Sequence, residues 1–155
     1  MKSVNTFRKA ADFLRNITES EDVGMLVTTN AKGRPHACWM GTVGQKDLSK
    51  ITTMTASNTR KVQNIYDNPK VEWVFSDSGK ETIVYLSGTA RVITDTEEIK
   101  NQMQDLYDMT KAYFLNYMVG NATFVVIETA VEEIEYTVPS RNIYETVSLL
   151  AGMPA

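Results

Sequence analysis

Between residues 23 and 56 the chain carries three apolar, valine- and threonine-rich runs joined by turns too short for any crossover. "VGMLVTT" (23–29), "PHACWMGTV" (35–43) and "LSKITTMTA" (48–56) are separated only by "NAKGR" (30–34) and "GQKD" (44–47). Parallel strands need a connection of about a dozen residues or more, usually a helix. These runs must therefore pair antiparallel, and a doubly wound parallel sheet is disfavoured. Gly33 supplies the positive φ that the first turn favours.

The rest of the chain extends that pattern. "KVEWVFSD" (70–77) and "TIVYLSGTARVI" (82–93) read as a fourth and a fifth strand around the turn "SDSGK". On the fifth, Val84, Leu86, Ala90 and Val92 share one face, and Tyr85, Ser87, Thr89 and Arg91 the other. Gly88 falls mid-strand, where a bulge or a close approach by another group is expected. "ATFVVIET" (122–129) reads as a buried strand, and "EEIEYTV" (132–138) as a half-exposed strand or its extension.

Helices are expected over 3–17, with Val4, Phe7, Ala11 and Leu14 inward, and over 58–67, with Val62, Ile65 and Tyr66 on one side. Pro69 discourages helix at Asn68. A long helix begins at Thr94-Asp95, with Ile99, Met103, Leu106, Tyr113 and Tyr117 as its stripe, widened by Tyr107, Phe114 and Met118. After Pro139, Asn142 and Glu145 are spaced as a capping box for a last helix over 141–151, with Ile143, Val147 and Leu150 inward. No repeat or linker divides the chain. The reading is one domain, 1–155, mainly β (α+β): an antiparallel sheet closed toward a barrel with flanking helices.

Composition then narrows the function. A net charge of -3 speaks against a general nucleic-acid surface and leaves room only for a local basic pocket. No apolar run approaches a membrane span, and the start "MKSVNTFRKAADFLRN" has no apolar core of the signal-peptide type. With Cys38 the sole cysteine, a reduced cytoplasmic compartment is the simplest expectation. His36 is the sole histidine, so a multi-histidine metal site is excluded and no metal is expected. His36 and Cys38 point to one face of their strand about 6.6 Å apart, long for a nucleophile and its base. Walker, G-x-G-x-x-G and G-x-S-x-G signatures are absent.

One local pattern does suggest a ligand. In "SNTRKVQNIYDNPKVEWVF" (57–75) Arg60 and Lys61 open a helix, where the backbone already presents positive charge. Ser57, Asn58 and Thr59 precede them with hydroxyl and amide groups. First-turn N–H groups lack intrahelical partners, so an arriving phosphate would satisfy backbone and side chains together. The alternative is an ordinary capped helix with solvated cations. A phosphate there would lay the rest of its ligand along "ITTMTAS" and "PHACWMG", strands expected to be neighbours, which suits a flat apolar ring system.

"GRPHACWMGTV", "MTASNTRKVQNIYDNPKVEWVF" and "YLSGTARVI" together resemble the flavin-binding split-barrel family of pyridoxamine 5'-phosphate oxidase and the general stress proteins. The resemblance runs from about residue 23 to 93. It implies a six-stranded antiparallel Greek-key split β-barrel and a homodimer with flavin mononucleotide (FMN) at the subunit interface. By the same resemblance Arg60 and Lys61 hold the phosphate, helped by Thr55 and Ser57. His36, Ala37, Cys38 and Trp39, with Thr53 and Met54, flank the ring system largely through backbone groups. Thr82 to Tyr85 approach the cofactor of the other subunit.

The oxidase proper has an arginine where this chain has Cys38, and a C-terminal Arg and His that hold the vitamin substrate. The C-terminal stretch "RNIYETVSLLAGMPA" has no histidine. The resemblance therefore points to the general stress protein or flavin reductase-like branch, acting on a small molecule, and not to pyridoxamine phosphate oxidation. Tyr85, Tyr113, Tyr117 and His36 are candidates for the substrate side, and an apolar pocket suits a nitro-compound or quinone. Deazaflavin is an alternative cofactor, and a non-catalytic flavin or haem binder is the alternative function, with His36, Cys38, a tyrosine or a methionine available as axial ligand.

Overall fold

The computed structural model describes residues 2–20, 24–41, 43–45, 47–103 and 123–149. They form one eight-stranded, wholly antiparallel sheet and three α-helices. In chain order these are α1 (Lys2–Ser20), β1 (Gly24–Thr29), β2 (Pro35–Met40), β3 (Val43–Gln45), β4 (Lys50–Ala56), α2 (Arg60–Asp67), β5 (Lys70–Ser76), β6 (Ile83–Ile93), α3 (Thr96–Met103), β7 (Phe124–Val138) and β8 (Ile143–Ser148).

The pairing order is β2-β1-β5-β6-β7-β4-β3, with β8 attached to β7. The two ends of that path, β2 and β3, are almost consecutive in the chain: Met40 ends one and Val43 begins the other. The sheet must therefore curl until its edges meet at that corner. The result is the expected split barrel, with two more strands than expected. One extra strand arises because the run 35–43 breaks after Gly41, so that β2 pairs with β1 while β3 pairs with β4. The segments "PHACWMG" and "ITTMTAS" are thus neighbours only through β3.

The other extra strand is β8, where a C-terminal helix is expected. Pro139–Arg141 form a single 3-10 turn, closed by the Asn142 N–H donating to the Pro139 carbonyl. Asn142 then takes a left-handed conformation at φ 54°, which stops helical propagation. The chain reverses, and Ile143, Thr146 and Val147, β-branched residues suited to a strand, pair along β7. Leu150 and most of the expected stripe of the long helix, including Tyr113 and Tyr117, lie outside the described residues.

Strand β7 continues through both apolar runs, 122–129 and 132–138, as one element. Its register against β6 slips by one residue: Ser87 faces Glu133, whereas Gly88 faces Val131. Glu132 is the inserted residue of a β-bulge. There the other edge of β7 changes partner. The Val131 N–H donates to the Ser49 carbonyl on the β4 side, and the Leu149 N–H donates to the Glu132 carbonyl on the β8 side. A Cβ built on Gly88 would lie 2.2 Å from the Ala130 carbonyl oxygen, so only glycine lets the strands come this close.

Inside the barrel lie Leu26, Ile51, Trp73, Phe75, Leu86, Ile127 and Ile134. Trp73 and Phe75 stack at 5.7 Å, and the indole N–H of Trp73 donates to Thr129 Oγ1 at 3.0 Å, satisfying a buried polar group. Helix α1 lays Ala10, Leu14 and Ile17 on this core, and Lys9 ties it to β8 through Glu145 at 3.0 Å. Helix α3 covers the outer face at Met54, Ile93 and Val126 with Ile99. Among the described residues no helix is long and apolar enough to cross a membrane, and no group of three or more His, Cys, Asp or Glu could hold a metal.

The close approach at Gly88 is directly testable. Gly88→Ala should cost about 2 kcal/mol or more in urea unfolding, because rigid backbone would have to move. Gly41→Ala, whose Cβ position meets nothing within 4 Å, should leave the midpoint nearly unchanged.

Candidate functional site

Helix α2 is held at the rim of the barrel by a buried polar contact in its second turn. Asn64 is buried on the inward side of the helix beside Val62 and Ile65, and its Nδ2 donates to Thr28 Oγ1 at 3.0 Å. The sequence pattern assigned that side to Tyr66, which is 60% exposed. The replacement of a tyrosine by an asparagine on an inward face follows from the polar partner that β1 offers. One helical turn earlier is Arg60, and directly opposite Thr28 on β2 is His36. Arg60 Nη1 and His36 Nδ1 are 3.5 Å apart. Two contacts one turn apart therefore fix α2 against the β1–β2 hairpin.

No side chain caps this helix. Thr59 stands at the N-cap in extended conformation, but its hydroxyl donates to the Ala56 carbonyl at 3.1 Å. The helical bond that opens the element, from Gln63 N–H to the Thr59 carbonyl, is long at 3.3 Å. The first-turn amides thus face the same space as the exposed Arg60 and half-buried Lys61. Half-buried Thr55 and Ser57 lead into it, with Ser57 fixed by its N–H donating to the Thr123 carbonyl at 2.8 Å. No carboxylate forms a salt bridge with Arg60 or Lys61 among the described residues, so both charges are available to an anion.

The remaining expected site residues fall on two faces. His36 and Cys38 share the side of β2 that ends in buried Met40, and Cys38 packs half-buried against the core with its thiol 3.5 Å from the Trp39 carbonyl. Thr53 is fully buried on the inward side of β4. Met54 points outward beneath α3, and Ala37 and Trp39 point outward from β2. Thr82 is bound into the β5–β6 turn, where Asp77 accepts from its N–H at 3.3 Å.

Tyr85 belongs to a cross-strand row on the outer face. Trp39 faces Met25, Met25 faces Val74, and Val74 faces Tyr85. None of the four is buried, and Trp39 is 62% exposed. Four strands thus present one contiguous apolar row to the outside, which single-strand periodicity does not reveal. Beside it Glu72, Ser87 and Glu133 form a polar row, and Glu135, opposite Tyr85, ends the apolar one with a charge. Burial raises the Glu72 carboxyl above its ordinary value; the Glu135 charge adds to this, and a hydrogen bond with Ser87 opposes it.

The family model for pyridoxamine 5'-phosphate oxidase matches residues 10–138. No curated protein sequence matches the chain significantly. Among solved structures, a protein related to general stress protein 26, of the pyridoxinephosphate oxidase family, from Clostridium acetobutylicum is 20% identical, with a TM-score of 0.72 over 91% of this chain and 95% of that one. A NimC/NimA family protein from the same organism is 19% identical, with a TM-score of 0.64 over 92% and 93%. A haem-binding protein from Mycobacterium smegmatis is 18% identical, with a TM-score of 0.67 over 86% of this chain and 55% of that one.

The Glu72 shift gives a signed expectation. The folded carboxyl holds its proton more tightly than the unfolded one, so stability falls as pH rises from the unfolded value through the raised folded one. Glu72→Gln should therefore raise the melting temperature near pH 7 and lose that advantage below about pH 4. An equal gain at both pH values would contradict it.

Proposed function

The chain belongs to the pyridoxamine 5'-phosphate oxidase family, and on that premise we propose that it is an FMN-binding oxidoreductase of the general stress protein or flavin reductase-like branch, acting as a homodimer on a small molecule. The observation that carries this reading is the uncapped first turn of α2, with no carboxylate paired to Arg60 or Lys61 among the described residues. That donor set fits a dianionic phosphate, since backbone amides and two cations then act in the same sense. Thr55 and Ser57 complete the cup, while the backbone of 36–39 and 53–54 borders the ring. A bound flavin supplies hydride or single-electron chemistry; this chain supplies position, access and hydrogen bonds.

The outward row Trp39, Met25, Val74 and Tyr85 supports the dimer, because an apolar row across four strands gains most when a second copy covers it. On this reading Tyr85, at the end of that row, approaches the partner's cofactor, with Thr82 at the adjoining β5–β6 turn. The whole chain acts as one FMN-binding domain, and its single Cys38 thiol suits a reduced cytoplasm. Pyridoxamine phosphate oxidation is not proposed: Cys38 cannot clamp an anionic substrate as arginine does, and Ile143–Ser148 are occupied in pairing with β7.

Haem is the competing ligand, and the geometry of His36 weighs against its serving as the axial residue. Arginine only donates, so the nitrogen facing Arg60 must accept. A histidine that ligates iron through Nε2 donates its Nδ1–H to a second group. Ligation through Nε2 would thus set two donors against each other.

Purified protein should be yellow with bound FMN and bleach with NADH or NADPH. A Soret band, or no chromophore after incubation with FMN, would overturn the reading; a deazaflavin spectrum would keep the site and replace the cofactor. Arg60→Ala and Lys61→Ala should each weaken FMN by roughly ten- to a hundredfold, the range of a charge-assisted hydrogen bond. Trp39→Glu should shift the light-scattering mass from dimer to monomer.

A further inference from the structure

His36 acts on the anion end of this site. Its Nδ1 lies 3.5 Å from Arg60 Nη1, and a guanidinium has no acceptor to offer. Facing a pure donor, Nδ1 can take part in this contact as the acceptor. We propose that His36 is a positioning residue of the phosphate cup, holding the Arg60 guanidinium beside the first turn of α2 without neutralising it. The inference rests on the FMN reading of the same site and deepens it, moving the His36 side chain from the ring to the phosphate.

The way other cations are held sets this one apart. Arg91 is fixed by Glu128 at 2.9 Å and Glu98 at 2.6 Å, Lys70 by Glu132 at 3.0 Å, and Lys9 by Glu145 at 3.0 Å. Each of those contacts spends the positive charge on a carboxylate, which suits a structural tie. An anion site needs the opposite: an ordered guanidinium that keeps its charge. A neutral acceptor is the group that does both. Arg60 is exposed and long, and an unheld arginine loses much rotamer freedom when it closes on a ligand.

The backbone explains why His36 can do this. It stands opposite Thr28, and Thr28 receives Asn64 one turn along α2 from Arg60. The imidazole therefore meets Arg60 from a frame that the sheet register and a buried hydrogen bond already fix.

The test is FMN titration of cofactor-free protein, followed by quenching of flavin fluorescence, with inorganic phosphate as competitor. His36→Ala should weaken both ligands about three- to tenfold, the cost of ordering one long side chain. His36→Asn, which keeps an acceptor at the place of Nδ1, should restore most of the affinity. His36→Gln, whose polar end lies at the place of Nε2, should not. In an Arg60→Ala background His36→Ala should cost nothing further. An equal loss in both backgrounds, no loss at all, or rescue by Gln in place of Asn would overturn the positioning role while leaving the cup intact. If Arg60→Ala leaves FMN affinity unchanged, the cup reading falls and the role of His36 with it. Thermal unfolding of each variant separates a folding defect from a binding one, and the Asn–Gln comparison decides the matter if His36→Ala is unstable.

Discussion

Strand β7 is the constraint on which the rest of the sheet depends. Its fifteen residues hold β6 along one edge, and β4 then β8 along the other. The exchange from β4 to β8 falls at the same level as the inserted Glu132, which shifts the register against β6. Its carboxylate accepts from Thr89 and from Lys70, which keeps its proton affinity low and ties the bulge to β6 and β5. Because β7 joins β6 to β4, the sheet is long enough to curl, and curling brings the β3 edge round to the end of β2.

The candidate site is a by-product of that curl. Helix α2 connects β4 to β5, strands that lie far apart in the pairing order, so it must cross the open rim. Val62 and Ile65 bury it against the core, which aims its first turn at the β1–β2 hairpin. A connection forced by topology thereby sets the positive end of a helix, two cations and a histidine around one space. Under the proposed flavin function catalytic groups need not be part of this arrangement, since the chemistry would belong to the cofactor.

Antiparallel architecture was legible because it depends on turn length, a local property of "NAKGR" and "GQKD". Strand positions, the glycine at 88 and the cations at 60 and 61 were legible for the same reason. The split after Gly41 was not, because partner choice in a closed sheet depends on strands far away in sequence. The C-terminal segment was misread as helix: Asn142 and Glu145 have capping-box spacing, yet asparagine also tolerates the left-handed turn that it adopts. Tyr66 and Asn64 exchanged places because an inward asparagine requires a buried hydroxyl from another strand, and no pattern within the helix reports Thr28. The outward row of Trp39, Met25, Val74 and Tyr85 required the register of four strands.

The place of β7 in chain order also shapes how the molecule assembles. The β1–β2, β3–β4 and β5–β6 pairs are local hairpins that can form as soon as they are synthesised. β4 and β6 wait for the seventh of eight strands, and the β4–β7 pairing joins Ala56 to Phe124 and Lys50 to Ala130. Of the strand pairings this one closes the longest loops, so it carries the largest closure entropy. Until it forms, two apolar strands have unpaired edges, so the nascent chain is most exposed to aggregation just before its barrel can close.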